Sequence, residues 1–297
     1  MSSGPGTPSG RGGVDHLGQY HGRARCAVAI PVRTPVGTLS ATTVEGDETM
    51  AEPTAPSTAR MIDFWLGGSD HFPVDVAAAR AFEQAYGPCA PVFRSLRAFL
   101  GRAVRHIADA GVDSFLVFGA GVPTCGNVHE IVPEATVLYT DVDPVAVEIG
   151  QRMLAGNDRV GYGFADATDS VGIDPVLRQR YLPGWGDRPV GVVFLGLAAF
   201  LDDDTLARTL DDLYEAVAPG SRLAVDFDTE ELADHPEALA MMGPAFRMRP
   251  PESFARLLGR WQPTVDGIVP VARWRPDGDP VAVPDAFYGA VAVKPAG

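Results

Sequence analysis

The sequence predicts an α/β fold in which helices cover a mostly parallel sheet and a helical cap precedes that sheet. After Gly111, short apolar runs alternate with helical segments, a rhythm typical of βαβ units. Between residues 56 and 110 the apolar residues recur at intervals of three and four, which is the helical period. A chain of 297 residues, 46% of them hydrophobic, can build one large core with such a cap.

Residues 1–55 are predicted to be a disordered N-terminal extension, because they are rich in Gly, Pro, Ser and Thr and show no periodicity. The apolar stretch Cys26–Ile30 is followed by Pro31 and is too brief for the core of a signal peptide. Met50 is interpreted as an alternative start of translation. Part of the first 49 residues is therefore interpreted as an extension outside the native protein.

Residues 56–110 form the predicted helical cap. Ser57 is the expected N-cap of a first helix, which breaks at Gly67-Gly68. Two more helices are predicted at 74–86 and 91–110. Gly111 is suited to end the last of them, since glycine tolerates the left-handed conformation found after many helices.

Residues 111–295 form the predicted Rossmann-like domain. Its apolar runs predict five strands, at 114–118, 136–140, 160–164, 190–196 and 221–227. Continuous apolar strands separated by helices, here at 144–155 and 203–217, imply a parallel sheet that is buried on both faces. Two further strands, 267–274 and 286–293, follow a helix at about 251–259 and are predicted to close the sheet as an antiparallel pair.

Charge and composition exclude several classes of partner. With 24 basic and 38 acidic residues, the net charge of -14 repels nucleic acid and anionic lipid. The chain has no run of roughly 18 apolar residues that could span a membrane. Its three widely spaced cysteines form no CxxC pair and no metal-ligand pattern, which predicts a cytoplasmic protein without a metal.

The first predicted strand ends in a glycine turn, Gly119-Ala120-Gly121. A ligand can approach the backbone closely where side chains are missing, and Pro123 is well placed to start a helix whose amides face the turn. Structural turns produce the same pattern equally often. Thr124 replaces the third glycine of the dinucleotide fingerprint, which disfavours a nicotinamide cofactor.

Two carboxylates follow the next two strands. Asp141 and its neighbour Val142 come about 20 residues after the glycine turn, where an acid can accept both ribose hydroxyls of an adenosine. Either Asp141 or Asp143 could instead cap the next helix, and we assign the cap to Asp143. Asp166 and Ala167 follow the third strand, where Asp166 could accept a hydrogen bond from an adenine amino group. These features coincide at the sheet edge where α/β folds bind ligands.

Together these residues resemble the class I S-adenosylmethionine-dependent methyltransferases, and more closely an actinobacterial S-adenosyl methyltransferase family formerly described as a domain of unknown function. The resemblance covers about residues 53–293. It is carried by Ala59 to Phe72 (ARMIDFWLGGSDHF), Gly121 to Thr124 with Asn127, His129 and Glu130, Asp141 to Pro144, and Val269 to Pro276. It implies S-adenosylmethionine as cofactor and a seven-stranded sheet under an N-terminal helical cap.

Several positions depart from the family pattern. Val117 stands where an acidic residue usually precedes the first glycine, and Ala199 stands near the fourth strand where members often have histidine. Ser69 and His71 replace a common lysine and asparagine. These departures keep open a catalytically weak or inactive S-adenosylmethionine-binding protein with a regulatory role.

Asp70 and His71 follow the glycine break in the cap and are the candidate catalytic residues. Methyl transfer needs alignment and, for a hydroxyl or a protonated amine, a base. The plainer alternative is that Asp70 caps the next helix while His71 is exposed. We expect a methyltransferase acting on a small molecule. A nicotinamide-dependent oxidoreductase is the remaining alternative, and the sequence leaves homo-oligomer formation open.

Overall fold

The computed structural model describes residues 53–169 and 172–296. Almost all of the predicted N-terminal extension, with Met50, lies outside the described residues. The cap consists of three helices, α1 (Thr58–Trp65), α2 (Pro73–Tyr86) and α3 (Cys89–Asp109). Gly111 follows α3 with φ +87°, the left-handed conformation predicted for it.

The start of the cap differs from prediction in one respect. Ser57 precedes α1, but its side chain makes no capping hydrogen bond. Its backbone N–H instead donates to Asp75 at 2.9 Å. The buried carboxylate of Asp75 also accepts from Arg60 Nε and from the backbone N–H of Phe72, both at 2.8 Å. Asp75 therefore joins the beginnings of α1 and α2. The Ser57 hydroxyl is directed away from the helix amides, because it donates to Asp143 Oδ2 at 3.4 Å.

One mixed sheet forms the body of the protein. The strands on its main path lie in the order β3-β2-β1-β4-β5-β8-β6, and β7 pairs with β8 beside this path. The first five are parallel and β8 runs antiparallel to β5. This confirms the predicted fold class, but the sheet has eight strands and not the predicted seven, because the short segment Gln262–Pro263 also pairs with β8. The strands are β1 (Ser114–Phe118), β2 (Thr136–Asp141), β3 (Val160–Phe164), β4 (Gly191–Phe194), β5 (Arg222–Asp228), β6 (Gln262–Pro263), β7 (Val269–Pro270) and β8 (Phe287–Val293).

Helices cover both faces of the sheet. The face beneath α3 carries an apolar core that includes Phe99, Leu100, Val117 and Tyr139. The opposite core includes Phe118 and Leu210. The remaining helices are α4 (Val128–Ile131), α5 (Pro144–Met153), α6 (Pro175–Tyr181), α7 (Asp203–Ala216), α8 (Pro236–Met242) and α9 (Pro251–Leu257). Within the described ranges, no helix is long and apolar enough to cross a membrane.

The C-terminal region departs from the predicted strand at 267–274. Only Val269 and Pro270 pair with β8, and a 3₁₀ turn follows at Val271–Arg273. Proline has no N–H to extend a ladder. Arg102 of α3 donates to the carbonyls of Val271 at 2.6 Å and Trp274 at 2.7 Å, so this segment is held against the cap helix instead of the sheet.

Candidate functional site

The glycine turn follows β1 at the point where strand order reverses, with β2 on one side and β4 on the other. Ligands bind at such switch points in open α/β sheets. Gly119 has φ +58°, and a Cβ there would lie 2.5 Å from Leu197 Cδ2. The N–H of Ala120 donates to the Thr140 carbonyl at 2.9 Å. The turn therefore needs glycine at position 119 and is fixed against β2.

The helix after this turn begins later than predicted. Pro123 lies in an irregular segment, and α4 starts at Val128. Asn127 and Glu130 form a capping box there, with Glu130 accepting the Asn127 N–H at 2.9 Å. His129 lies in α4 and is hydrogen bonded to the Tyr139 hydroxyl at 2.9 Å, which gives it a structural role.

Asp141 lies at the end of β2, directly against the glycine turn. Its Oδ2 accepts the Gly121 N–H at 2.9 Å and its Oδ1 accepts the Asp143 N–H at 2.8 Å. The carboxylate is 2% exposed, and burial raises its pKa to about 6. Each carboxylate oxygen has a second lone pair and can accept a further bond. Asp143 caps α5 by accepting the Val145 N–H at 2.9 Å, as predicted.

Asp166 lies just beyond β3 on the same edge of the sheet. Its Oδ1 accepts both the N–H of Thr168 at 2.9 Å and the Thr168 hydroxyl at 2.7 Å. The preceding Ala165 donates its N–H to the Asp141 carbonyl at 3.1 Å, so the ends of β2 and β3 are held together. Val142 and Ala167 are half-buried at this edge. The structure thus brings the predicted cofactor residues to one edge.

Arg97 of α3 is a polar group at this site that sequence reasoning missed. It lines a cavity beside the turn together with Val117, Gly119, Ala120, Tyr139 and Leu195. Burial lowers the pKa of its guanidinium to about 9. The signal was present in the sequence, because Arg97 interrupts the apolar face of α3 between Phe93 and Leu100.

His71, a predicted catalytic residue, is paired with a carboxylate that was not predicted. Its Nδ1 lies 2.7 Å from Oδ2 of the fully buried Asp63. The same oxygen accepts the backbone N–H of Asp70 at 2.9 Å. A Cβ on Gly68 would lie 2.5 Å from Thr124 Cγ2, so the glycine break packs against the loop that follows the turn. The cap therefore brings His71 and Asp63 to the same region as the glycine turn.

The model of a protein family described as S-adenosyl methyltransferase matches residues 45–295. The chain belongs to this family. This methyltransferase is similar to the crystal structure of a DUF574 family protein from Streptomyces avermitilis, with 34% identity over 81% of this chain and 98% of that one and a TM-score of 0.70. A candidate methyltransferase from Thermobifida fusca has 28% identity over 82% and 96% of the two chains, with a TM-score of 0.73. No curated protein matches the chain.

The predicted resemblance is thus confirmed, and the protein is an S-adenosylmethionine-dependent methyltransferase. The matching family and the two similar structures give no support to the alternative of a nicotinamide-dependent oxidoreductase. The site fits this cofactor on two structural observations. The turn at Gly119 excludes a side chain, and the buried Nε and Nη2 of Arg97 have no hydrogen-bond partner among the described residues. These features suit an elongated ligand that approaches the backbone and ends in an anionic group.

Two departures from the family pattern are buried in the methyltransferase. Val117 contributes an apolar side chain to the cavity beside Arg97. Ala199 is 1% exposed in the 3₁₀ turn Ala198–Phe200 after β4, and its carbonyl accepts the Arg247 N–H at 2.7 Å. Near β4, where family members often have histidine, the structure places a carboxylic acid that was not among the residues predicted from the sequence. Asp226 of β5 is fully buried and accepts the Gly196 N–H at 2.7 Å.

No cluster of His, Cys, Asp or Glu in the described part of the methyltransferase could hold a metal ion. The acidic run at Asp202–Asp204 belongs to the start of α7, where Asp202 accepts the Thr205 N–H at 2.8 Å. This agrees with the predicted helix start, because acids are favoured at helix N-termini.

Replacing Gly119 with alanine is expected to lower the free energy of unfolding by about 2–4 kcal/mol, because a left-handed alanine is strained and its Cβ also overlaps Leu197. The matched control is Gly126→Ala, since Gly126 has φ +63° and space for a Cβ. Urea denaturation of both variants gives their free energies of unfolding, and the difference between the two losses is the cost of the overlap with Leu197. Equal losses would show that the contact with Leu197 carries no cost.

Proposed function

We propose that this methyltransferase transfers the methyl group of S-adenosylmethionine to a nucleophilic atom of a small organic molecule in the cytoplasm. The observation that carries the proposal is the packing of the cap against the glycine loop through Gly68 and Thr124. A substrate that reaches the sheet edge must then fit beneath the cap, which favours a small molecule over a polymer. The net charge of -14 also disfavours nucleic acid.

The proposed cofactor site uses the sequence-predicted residues in distinct roles. The backbone of Gly119, Ala120 and Gly121 would provide the surface on which the cofactor lies. Asp141, with Val142 beside it, would accept the ribose hydroxyls through its free lone pairs. Asp166 and Ala167 would face the adenine. Support comes from the short distance between Asp141 and Gly121 and from the backbone contact between the ends of β2 and β3.

We propose His71 as the general base and Asp63 as the residue that positions it. Bound S-adenosylmethionine supplies a methyl group activated by its sulfonium. A carboxylate only accepts hydrogen bonds, so Asp63 selects the tautomer of His71 with the proton on Nδ1. Nε2 then has a free lone pair for a substrate proton. Asp70 contributes by donating its backbone N–H to Asp63.

The cofactor assignment is tested by calorimetry with S-adenosylmethionine and S-adenosylhomocysteine. We expect saturable binding of both to the full chain. Absence of binding at millimolar concentrations of either ligand would contradict the proposal. A second candidate function, a regulatory protein that binds the cofactor without catalysis, is favoured by the apolar Val117 and Ala199. Binding without turnover of any acceptor would support that candidate.

His71→Gln is expected to reduce turnover about 100-fold while leaving cofactor affinity within about twofold, since the variant lacks only the proton acceptor. The acceptor is first found by measuring S-adenosylhomocysteine release from a panel of phenols, amines and carboxylic acids. His106→Gln is the matched control. His106 lies near Arg222 at the start of β5, whereas the glycine turn lies at the carboxyl ends of the parallel strands. Unchanged turnover in His71→Gln would eliminate the proposed base.

A further inference from the structure

Arg97 carries a buried cation that the fold itself leaves unpaired. Its Nε and Nη2 are inaccessible to solvent and have no hydrogen-bond partner in the described part of the chain. Burying unpaired donors of a charged group costs free energy, and buried charges in proteins are normally paired. A ligand that supplies the acceptors would recover this cost.

The two free donors form one complete recognition unit. In a guanidinium, the Nε–H and one Nη–H point in parallel along the same edge, and here both nitrogens of that edge are free. A carboxylate matches this edge with two parallel hydrogen bonds. A neutral carbonyl or hydroxyl would use only one of the two donors.

The surroundings of Arg97 favour an anion. Among the described residues that line the cavity, none is acidic, and Val117 provides an apolar wall. Glu130 is the neighbouring carboxylate whose charge acts on Arg97, but it is engaged in capping Asn127 at the start of α4. A carboxylate that reaches this edge of the guanidinium, which the fold covers, therefore meets a positive charge without a hydrogen-bonded counterion in a poorly solvated space.

We propose that Arg97 binds the carboxylate at the amino-acid end of the cofactor. This inference rests on the proposed placement of the adenosine at Asp141 and Asp166, toward β2 and β3. An elongated ligand that crosses the glycine turn from there extends toward β4. The cavity lies along that path, since its wall extends from Tyr139 of β2 past Val117 of β1 to Val193 of β4. Arg97 then distinguishes the intact cofactor from nucleosides that lack the carboxylate.

The test compares two ligands by calorimetry on the full chain. S-adenosylhomocysteine has the carboxylate, whereas S-adenosyl-3-thiopropylamine is the same molecule without it. The wild type is expected to bind the first about 100-fold more tightly. Arg97→Met should lose about 100-fold in affinity for S-adenosylhomocysteine and change by less than about threefold for the decarboxylated analogue. Arg97→Lys should retain an intermediate preference, because ammonium lacks the bidentate edge.

Thermal unfolding of the ligand-free proteins gives an independent measurement. Arg97→Met should melt at the same temperature as the wild type or higher, because it removes an unpaired buried charge. Equal losses for both ligands, no loss for either, or a variant that fails to fold would each overturn the proposal. If the wild type binds neither ligand, the cofactor placement itself has failed. If it binds both with equal affinity, only the assignment of Arg97 has failed.

Discussion

Asp141→Asn is expected to lower the affinity for S-adenosylhomocysteine about 1,000-fold, because hydrogen bonds to charged groups contribute about 1.5–3 kcal/mol each. The Asp141 carboxylate accepts the amides of Gly121 and Asp143 and has lone pairs left for two ribose hydroxyls. An asparagine side chain has one acceptor oxygen, and its NH₂ would face one of the two N–H groups. The variant therefore loses ribose bonds and also disturbs the glycine turn.

The matched control for this experiment is Asp143→Asn. Asp143 is two residues away and caps α5 through the Val145 N–H. Asparagine caps helices as well as aspartate does, so affinity should change by less than about threefold. Calorimetry on both variants gives the comparison. Similar losses in the two would show that Asp141 has no special contact with the cofactor.

Asp226→Asn is expected to remove a large pH dependence of stability. Burial raises the pKa of Asp226 to about 7, against 3.8 for the free carboxyl. Between these values the folded protein holds a proton that the unfolded chain has released, so the free energy of unfolding falls as pH rises from about 4 to about 7. This difference in pKa corresponds to about 4 kcal/mol. The free energy of unfolding of Asp226→Asn, relative to that of the wild type, should therefore rise by about 4 kcal/mol between pH 4 and pH 8.

Urea denaturation at pH 4 and pH 8 measures the effect of Asp226→Asn. Asp158→Asn is the control, because the Asp158 side chain is 96% exposed and pairs with Arg180 at the surface. Its stability relative to wild type should change little between the two pH values. A constant difference between Asp226→Asn and wild type across this range would show that Asp226 ionises normally in the folded protein.

Local patterns predicted most of the fold. The strands at 114–118 and 160–164 have the bounds of β1 and β3, because buried parallel strands are continuous apolar runs. The errors arose where distant side chains act on the backbone. Arg102 of α3 holds the segment after β7, and the capping box at Asn127 delays α4. Neither contact can be inferred from apolar periodicity.

The candidate site was predictable to the extent that it follows strand ends. The contact between Asp141 and Gly121 is expected from topology, because parallel strands bring both residues to one edge. Asp63, Arg97 and Asp226 were missed, since each is significant only through its burial and through partners remote in sequence. A charged residue on an apolar helix face, as at Arg97, is the one such signal that the sequence contains.

A crystal structure of the full chain with S-adenosylhomocysteine tests the central claim most directly. We expect the ribose hydroxyls within hydrogen-bonding distance of Asp141, the adenine near Asp166, and the amino-acid end across Gly119 toward Arg97. A ligand bound elsewhere, or in this cleft with its ribose away from Asp141, would contradict the assignment of this edge of the sheet as the cofactor site.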